Sequence, residues 1–126
     1  MVTEISMQIV GAICIIIGIR MNLDPVGFNE SIFKKIDKKS VNQLAALRLP
    51  IGGSIMAVGI IHLYCSFMVT SVDAMKSILL ATAIGLIVLM ATVISGKIRG
   101  FSEEIPPLPI VILSILIAIC LYASLF

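Results

Sequence analysis

Residues 72–95 read VDAMKSILLATAIGLIVLMATVIS. After Lys76 no charged residue appears until Lys97. At ~1.5 Å per helical residue, such a stretch crosses a hydrocarbon core of roughly 30 Å. The apolar residues come as a run rather than in alternation, which favours a spanning helix over a barrel strand. Three further runs share this character: Val2–Ile19, closed by Arg20, Pro50–Thr70 and Pro107–Phe126. The spans, about 2–19, 50–70, 72–95 and 107–126, predict one all-α domain over residues 1–126. The expected architecture is an integral-membrane antiparallel four-helix bundle.

Composition supports this reading. Apolar residues make up 60% of the 126 positions and charged residues 13%, with a mean hydropathy of +1.18. Ordinary soluble domains carry roughly 25% charged residues. A soluble domain of this size has too little interior to hide so much apolar surface. A soluble enzyme, a disordered tail and a disulfide-rich module are therefore excluded. Cys14, Cys65 and Cys120 each sit inside an apolar run without paired spacing, and read as small buried hydrophobes. The net charge of +2, with no basic tract carrying interleaved aromatics, gives no footprint for nucleic acid. No Lys or Arg precedes the first apolar stretch, so it reads as a retained span rather than a signal peptide.

The cations are lopsided. Arg20, Lys34, Lys35, Lys38, Lys39 and Arg48 border or fill the first loop, and Lys97 and Arg99 the third. Lys76 stands alone on the other side. The positive-inside rule places loops 1 and 3 in the cytoplasm and both termini outside. Within loop 1, residues 21–49, the positions Ile32, Phe33 and Ile36 share one side of a helix flanked by lysines. That pattern predicts a short interfacial amphipathic helix. Ser40-Val-Asn-Gln43 fits a capping box that opens a helix near Val41, ahead of Pro50. Ser71 is the expected N-cap of the third span.

Small and polar residues distinguish the inside of a membrane bundle from its outside. In the first span Glu4, Gln8, Gly11, Ile15, Gly18 and Asn22 form a stripe. In the second, Arg48, Gly52, Ile55, Gly59, His62 and Ser66 do so. The third offers Asp73, Ser77, Ala81, Gly85, Val88, Thr92, Ser95 and Arg99, and the fourth Ser114, Ala118 and Tyr122. All four seams are expected to face inward. Gly11, Gly18, Gly52, Gly59 and Gly85 then serve close packing, and Gly53, on another face, permits a homo-oligomer.

His62 is the only histidine, and it lies inside a span. Intramembrane ionisable residues are candidate functional sites. Gln8, Ser77 and Tyr122 fall at a similar depth and Ser66 one turn away, so these five form a candidate ligand site. The bland alternative is a neutral imidazole fixing helix register through Ser77, Gln8 or Tyr122. Arg20, Arg48 and Arg99 cluster at the opposite end, as a head-group clamp or as snorkelling side chains paired with Glu103, Glu104 or Asp24. There is no nucleophile elbow, zinc motif, phosphate loop or carboxylate pair at depth. No metal and no cofactor is expected, and an autonomous enzyme is disfavoured.

Four spans in about 125 residues, a longer first loop, and Arg48-Leu-Pro-Ile-Gly52-Gly53 followed by Gly59 resemble the small bacterial membrane proteins related to DoxX. Arg99-Gly100 after the third span adds to that likeness. Among these the chain is similar to a sister group labelled a domain of unknown function. The resemblance covers nearly the whole chain and implies a four-helix bundle in the bacterial inner membrane. Relatives of this type are associated with quinone-linked redox complexes or act as accessory subunits, but the resemblance supplies no catalytic positions that carry the role over, and the lysine-rich loop departs from the pattern. The expected function is a non-enzymatic accessory or structural subunit, with the lipid bilayer and a membrane protein or a second copy as partners. The alternative is a binding module for a quinone or lipid near His62. A small-molecule transporter is disfavoured by the position of Glu4 at the membrane edge.

Overall fold

The computed structural model describes residues 2–33, 35–101 and 105–126, and Glu103 and Glu104 lie outside them. The described residues form five helices: α1 (Val2–Leu23), α2 (Pro25–Ile32), α3 (Val41–Met68), α4 (Val72–Ile98) and α5 (Pro107–Leu125). No strand occurs among the described residues. α1, α3, α4 and α5 are long and apolar enough to cross a membrane.

Local chemistry sets the helix ends. Asp24 accepts a hydrogen bond from Gly27 N at 3.1 Å, and Pro25 follows in the first turn, so α2 starts at once after α1. The predicted amphipathic segment is displaced as a result. Phe33 is extended and closes α2, so Ile32, Phe33 and Ile36 do not share a helical face. The buried face of α2 is Phe28, Asn29 and Ile32 instead. α3 does begin at Val41, but without the predicted capping box. Ser40 has φ −100° and ψ −6°, outside the extended region from which a hydroxyl caps, and makes no cap bond. Ser71, at φ −79° and ψ 121°, caps α4 by accepting from Ala74 N at 3.2 Å. At the far end of α4, Gly100 takes φ +80°. Phe101 N donates to Gly96 O at 2.9 Å and Gly100 N to Lys97 O at 3.1 Å, which is a Schellman stop.

α3 continues through Pro50. Proline removes a backbone donor there. Asn22 Nδ2 donates to Gly18 O of its own helix at 3.0 Å and reaches across to Leu49 O of α3 at 3.3 Å, tying the two helices together beside the proline.

α1 packs most extensively on α3, and α4 on α5. The α1–α3 seam is built from glycines. A Cβ at Gly59 would stand 2.6 Å from Gly11 O, and one at Gly18 would stand 2.5 Å from Gly52 O. Such backbone proximity substitutes for the hydrophobic drive that lipid does not supply. The opposite face of α1 meets α4 and α5 in an apolar core of Met7, Val10, Cys14, Leu79, Ala83 and Cys120, among others.

The seams of α4 and α5 do not face inward as expected. Ser77, Ala81, Gly85, Val88 and Thr92 are exposed on α4, as are Ser114, Ala118 and Tyr122 on α5. Their buried faces are Met75, Leu79 and Ala83, and Leu113, Leu116, Cys120 and Ala123. The hydroxyls explain how this is tolerated. Ser77 donates to Asp73 O at 3.0 Å, Thr92 to Leu89 O at 2.6 Å and Ser114 to Ile110 O at 2.7 Å. A hydroxyl satisfied by its own helix needs no partner across the interface. No Cβ at Gly53 or Gly85 would meet anything within 4 Å.

Candidate functional site: an apolar cavity below stacked arginines

α3 and α4 are joined by the short segment 69–71, yet they do not pack along their length. Near that turn, His62 bridges them. Its Nε2 lies 2.8 Å from Thr82 Oγ1, and its Nδ1 lies 2.9 Å from Val58 O. A neutral ring with its proton on Nδ1 donates to Val58 O and accepts the Thr82 proton on Nε2. The Thr82 hydroxyl also lies 2.9 Å from Ile78 O, so its one proton serves two acceptors.

Of the residues gathered around His62 by sequence, Ser66 is buried beside it on α3 but donates to Leu63 O at 2.7 Å. Gln8 is half-buried on α1, while Ser77 and Tyr122 are exposed, with Tyr122 against Phe126. None of them hydrogen-bonds to His62 among the described residues. Thr82, which sequence reasoning missed, holds the histidine. His62→Ala is expected to lower stability by about 0.6–1.7 kcal/mol, the worth of one interhelical polar contact in a membrane. Thermal unfolding in detergent checks this, and an unchanged midpoint would contradict it.

Past His62 towards the ends of α3 and α4 nearer loops 1 and 3, the gap becomes a cavity of about 560 Å³. Pockets for small ligands span ~300–1,000 Å³. One side wall is the α3 face of Ile51, Ser54, Ile55 and Val58. The other is Leu86, Leu89, Val93 and Gly96 of α4. Cys14 and Ile17 of α1 and Ile112 and Leu116 of α5 close the back. His62 does not line it, nor do Gln8, Ser66, Ser77 or Tyr122.

The end of the cavity is aromatic and cationic. Phe28, Phe33 and Phe101 line it. The Arg20 guanidinium carbon lies 5.7 Å from the Phe28 ring centre and that of Arg48 lies 5.3 Å from it. Arg99 stacks on Phe101 at 4.9 Å. All three arginines marked in the sequence therefore lie over rings that line the cavity, within cation–π range.

Arg48 is the only charged side chain in the described lining. Its Nε donates to Asn29 Oδ1 at 2.8 Å. Arginine only donates, so Asn29 must turn its oxygen to it. Asn29 Nδ2, buried, has no partner among the described residues. Phe28, Asn29 and Phe101 carry no signal in periodicity, and Phe33 is marked only as part of an amphipathic helix that does not form. They reach the site because Asp24 and Pro25 start α2 and because Gly100 turns the chain after α4.

Cys14 and Cys120 are buried in the apolar core, and Cys65 is half-buried. No group of three His, Cys, Asp or Glu that could hold a metal occurs among the described residues. No family model, no curated protein and no solved structure matches this chain.

Proposed function

We propose that this multi-pass membrane protein is a non-enzymatic binding module that holds one long apolar tail in the cavity between α3 and α4. The observation that carries the reading is the cavity itself. Its walls are mainly Ile, Leu, Val and Pro, and its end is aromatic with one arginine, Arg48.

The four long helices stand as an antiparallel bundle, with α2 at the membrane interface. The cation bias puts loops 1 and 3, and so the arginine end of the cavity, in the cytoplasm. The likeness to DoxX-related proteins would place the chain in a bacterial inner membrane, beside a larger complex. The ligand site is moved from His62, the position expected from sequence, to the cavity nearer loops 1 and 3.

Native mass spectrometry of the protein released gently from its own membrane tests this. One tailed molecule per chain, surviving release, is expected. Release of a bare chain together with a defined second subunit would contradict it and favour an accessory role.

A further inference from the structure

We infer that the cavity receives one acyl chain of an anionic phospholipid from the cytoplasmic leaflet, with the phosphate held by Arg48 and Arg20 beside Phe28. This deepens the proposed function and rests on the same cavity. Charge complementarity selects the occupant. The described lining contains one cation and no carboxylate, and a second guanidinium, that of Arg20, stacks on the same ring. Asn29 occupies only the Nε of Arg48, so the terminal nitrogens carry the remaining donors. Guanidinium groups stacked on an aromatic ring still present a planar fork, which matches phosphate bidentately.

Geometry selects the way in. α3 and α4 do not pack along their length, so the cavity has a lateral approach from lipid between them. The volume of about 560 Å³ suits one alkyl chain rather than two. The second chain of the lipid would remain in the bilayer. Arg48 precedes Pro50, at the level where the sequence leaves the cationic loop for the apolar run. The head group thus sits at the membrane surface while its tail runs inward towards Ile55 and Leu116.

The test uses the full chain in nanodiscs of equal phosphatidylglycerol and phosphatidylcholine, with retained lipids identified by native mass spectrometry. Wild type is expected to retain phosphatidylglycerol over phosphatidylcholine by about fivefold or more, the effect of one arginine near a surface. Arg48→Gln is expected to bring the ratio close to one while a lipid is still retained. Arg48 also holds Asn29, so Arg20→Gln provides a second variant: Arg20 is exposed, and its loss should lower the ratio without disturbing α2. Replacing the exposed Lys35, Lys38 and Lys39 with Gln should leave the ratio unchanged.

Equal retention of the two lipids by wild type would overturn the inference and leave the binding reading intact. A preference that disappears with the lysines would also overturn it, by showing diffuse attraction. Displacement of phosphatidylglycerol by added palmitate at equal stoichiometry would overturn the phospholipid in favour of a free carboxylate. Retention of no lipid at all would instead remove the proposed function.

Discussion

Gly59→Leu is expected to separate α1 from α3 and lower the thermal midpoint in detergent by about 4–12 °C, for an overpacking cost of about 1–3 kcal/mol. The clash is with backbone. A Cβ at this position lies 2.6 Å from Gly11 O and 3.0 Å from Ile15 N, neither of which a rotamer change can move aside. Gly18→Leu should act alike, because its Cβ would meet Gly52 O at 2.5 Å. Gly53→Leu and Gly85→Leu provide the contrast. Nothing stands within 4 Å of a Cβ at either, so each should be neutral or raise stability by up to about 1 kcal/mol through helix propensity. Equal losses at all four positions would show that the glycines do not act through the α1–α3 contact.

The second large effect is expected at Gly96. This residue lines the cavity, and a Cβ there would meet nothing within 4 Å. Gly96→Leu should project a branched side chain into the space where an acyl chain lies. Helix stability should hold or rise by up to about 1 kcal/mol, since glycine is a poor helix former. Occupancy should fall at least tenfold, because the new side chain and a tail cannot share the volume. A loss of lipid without loss of stability separates a binding site from a packing defect. Retained lipid with unchanged stoichiometry would contradict the placement of the tail.

The two glycine variants differ in a way the sequence does not reveal. Gly52, Gly59 and Gly85 all lie on stripes of small residues at helical spacing, yet only the first two meet another backbone. That four helices are long and apolar enough to cross a membrane is legible, because uninterrupted apolar runs of this length leave few alternatives. The α1 and α3 stripes were legible too, since glycine at close approach has no substitute. Those of α4 and α5 misled for a physical reason. Their Ser and Thr hydroxyls bond to their own helix, so the rule that polar residues point inward fails, and Leu and Met fill the interface instead.

The candidate site was legible in part. Arg20, Arg48 and Arg99 gather at one end of the molecule, around rings that line one cavity. The rings could not be assigned from sequence, because Phe28 sits in the eight-residue helix α2, too short for a clear period, and Phe101 in the turn after α4. His62 drew attention as an ionisable residue at depth, but its partner Thr82 lay off the expected stripe. The cavity itself is the space left where α3 and α4 fail to pack, and a linear pattern of apolar residues does not encode a gap.

The chain contains no tryptophan, so one introduced indole reports without background. Ile55→Trp places it in the lining of the cavity, on the path of the tail. The most direct measurement is its fluorescence in nanodiscs whose phospholipid carries a brominated acyl chain, with and without Gly96→Leu. Strong quenching that Gly96→Leu relieves is the expected result, because the brominated tail must enter the cavity to reach the indole. Quenching that is the same in both backgrounds would place the tail outside and contradict the assignment.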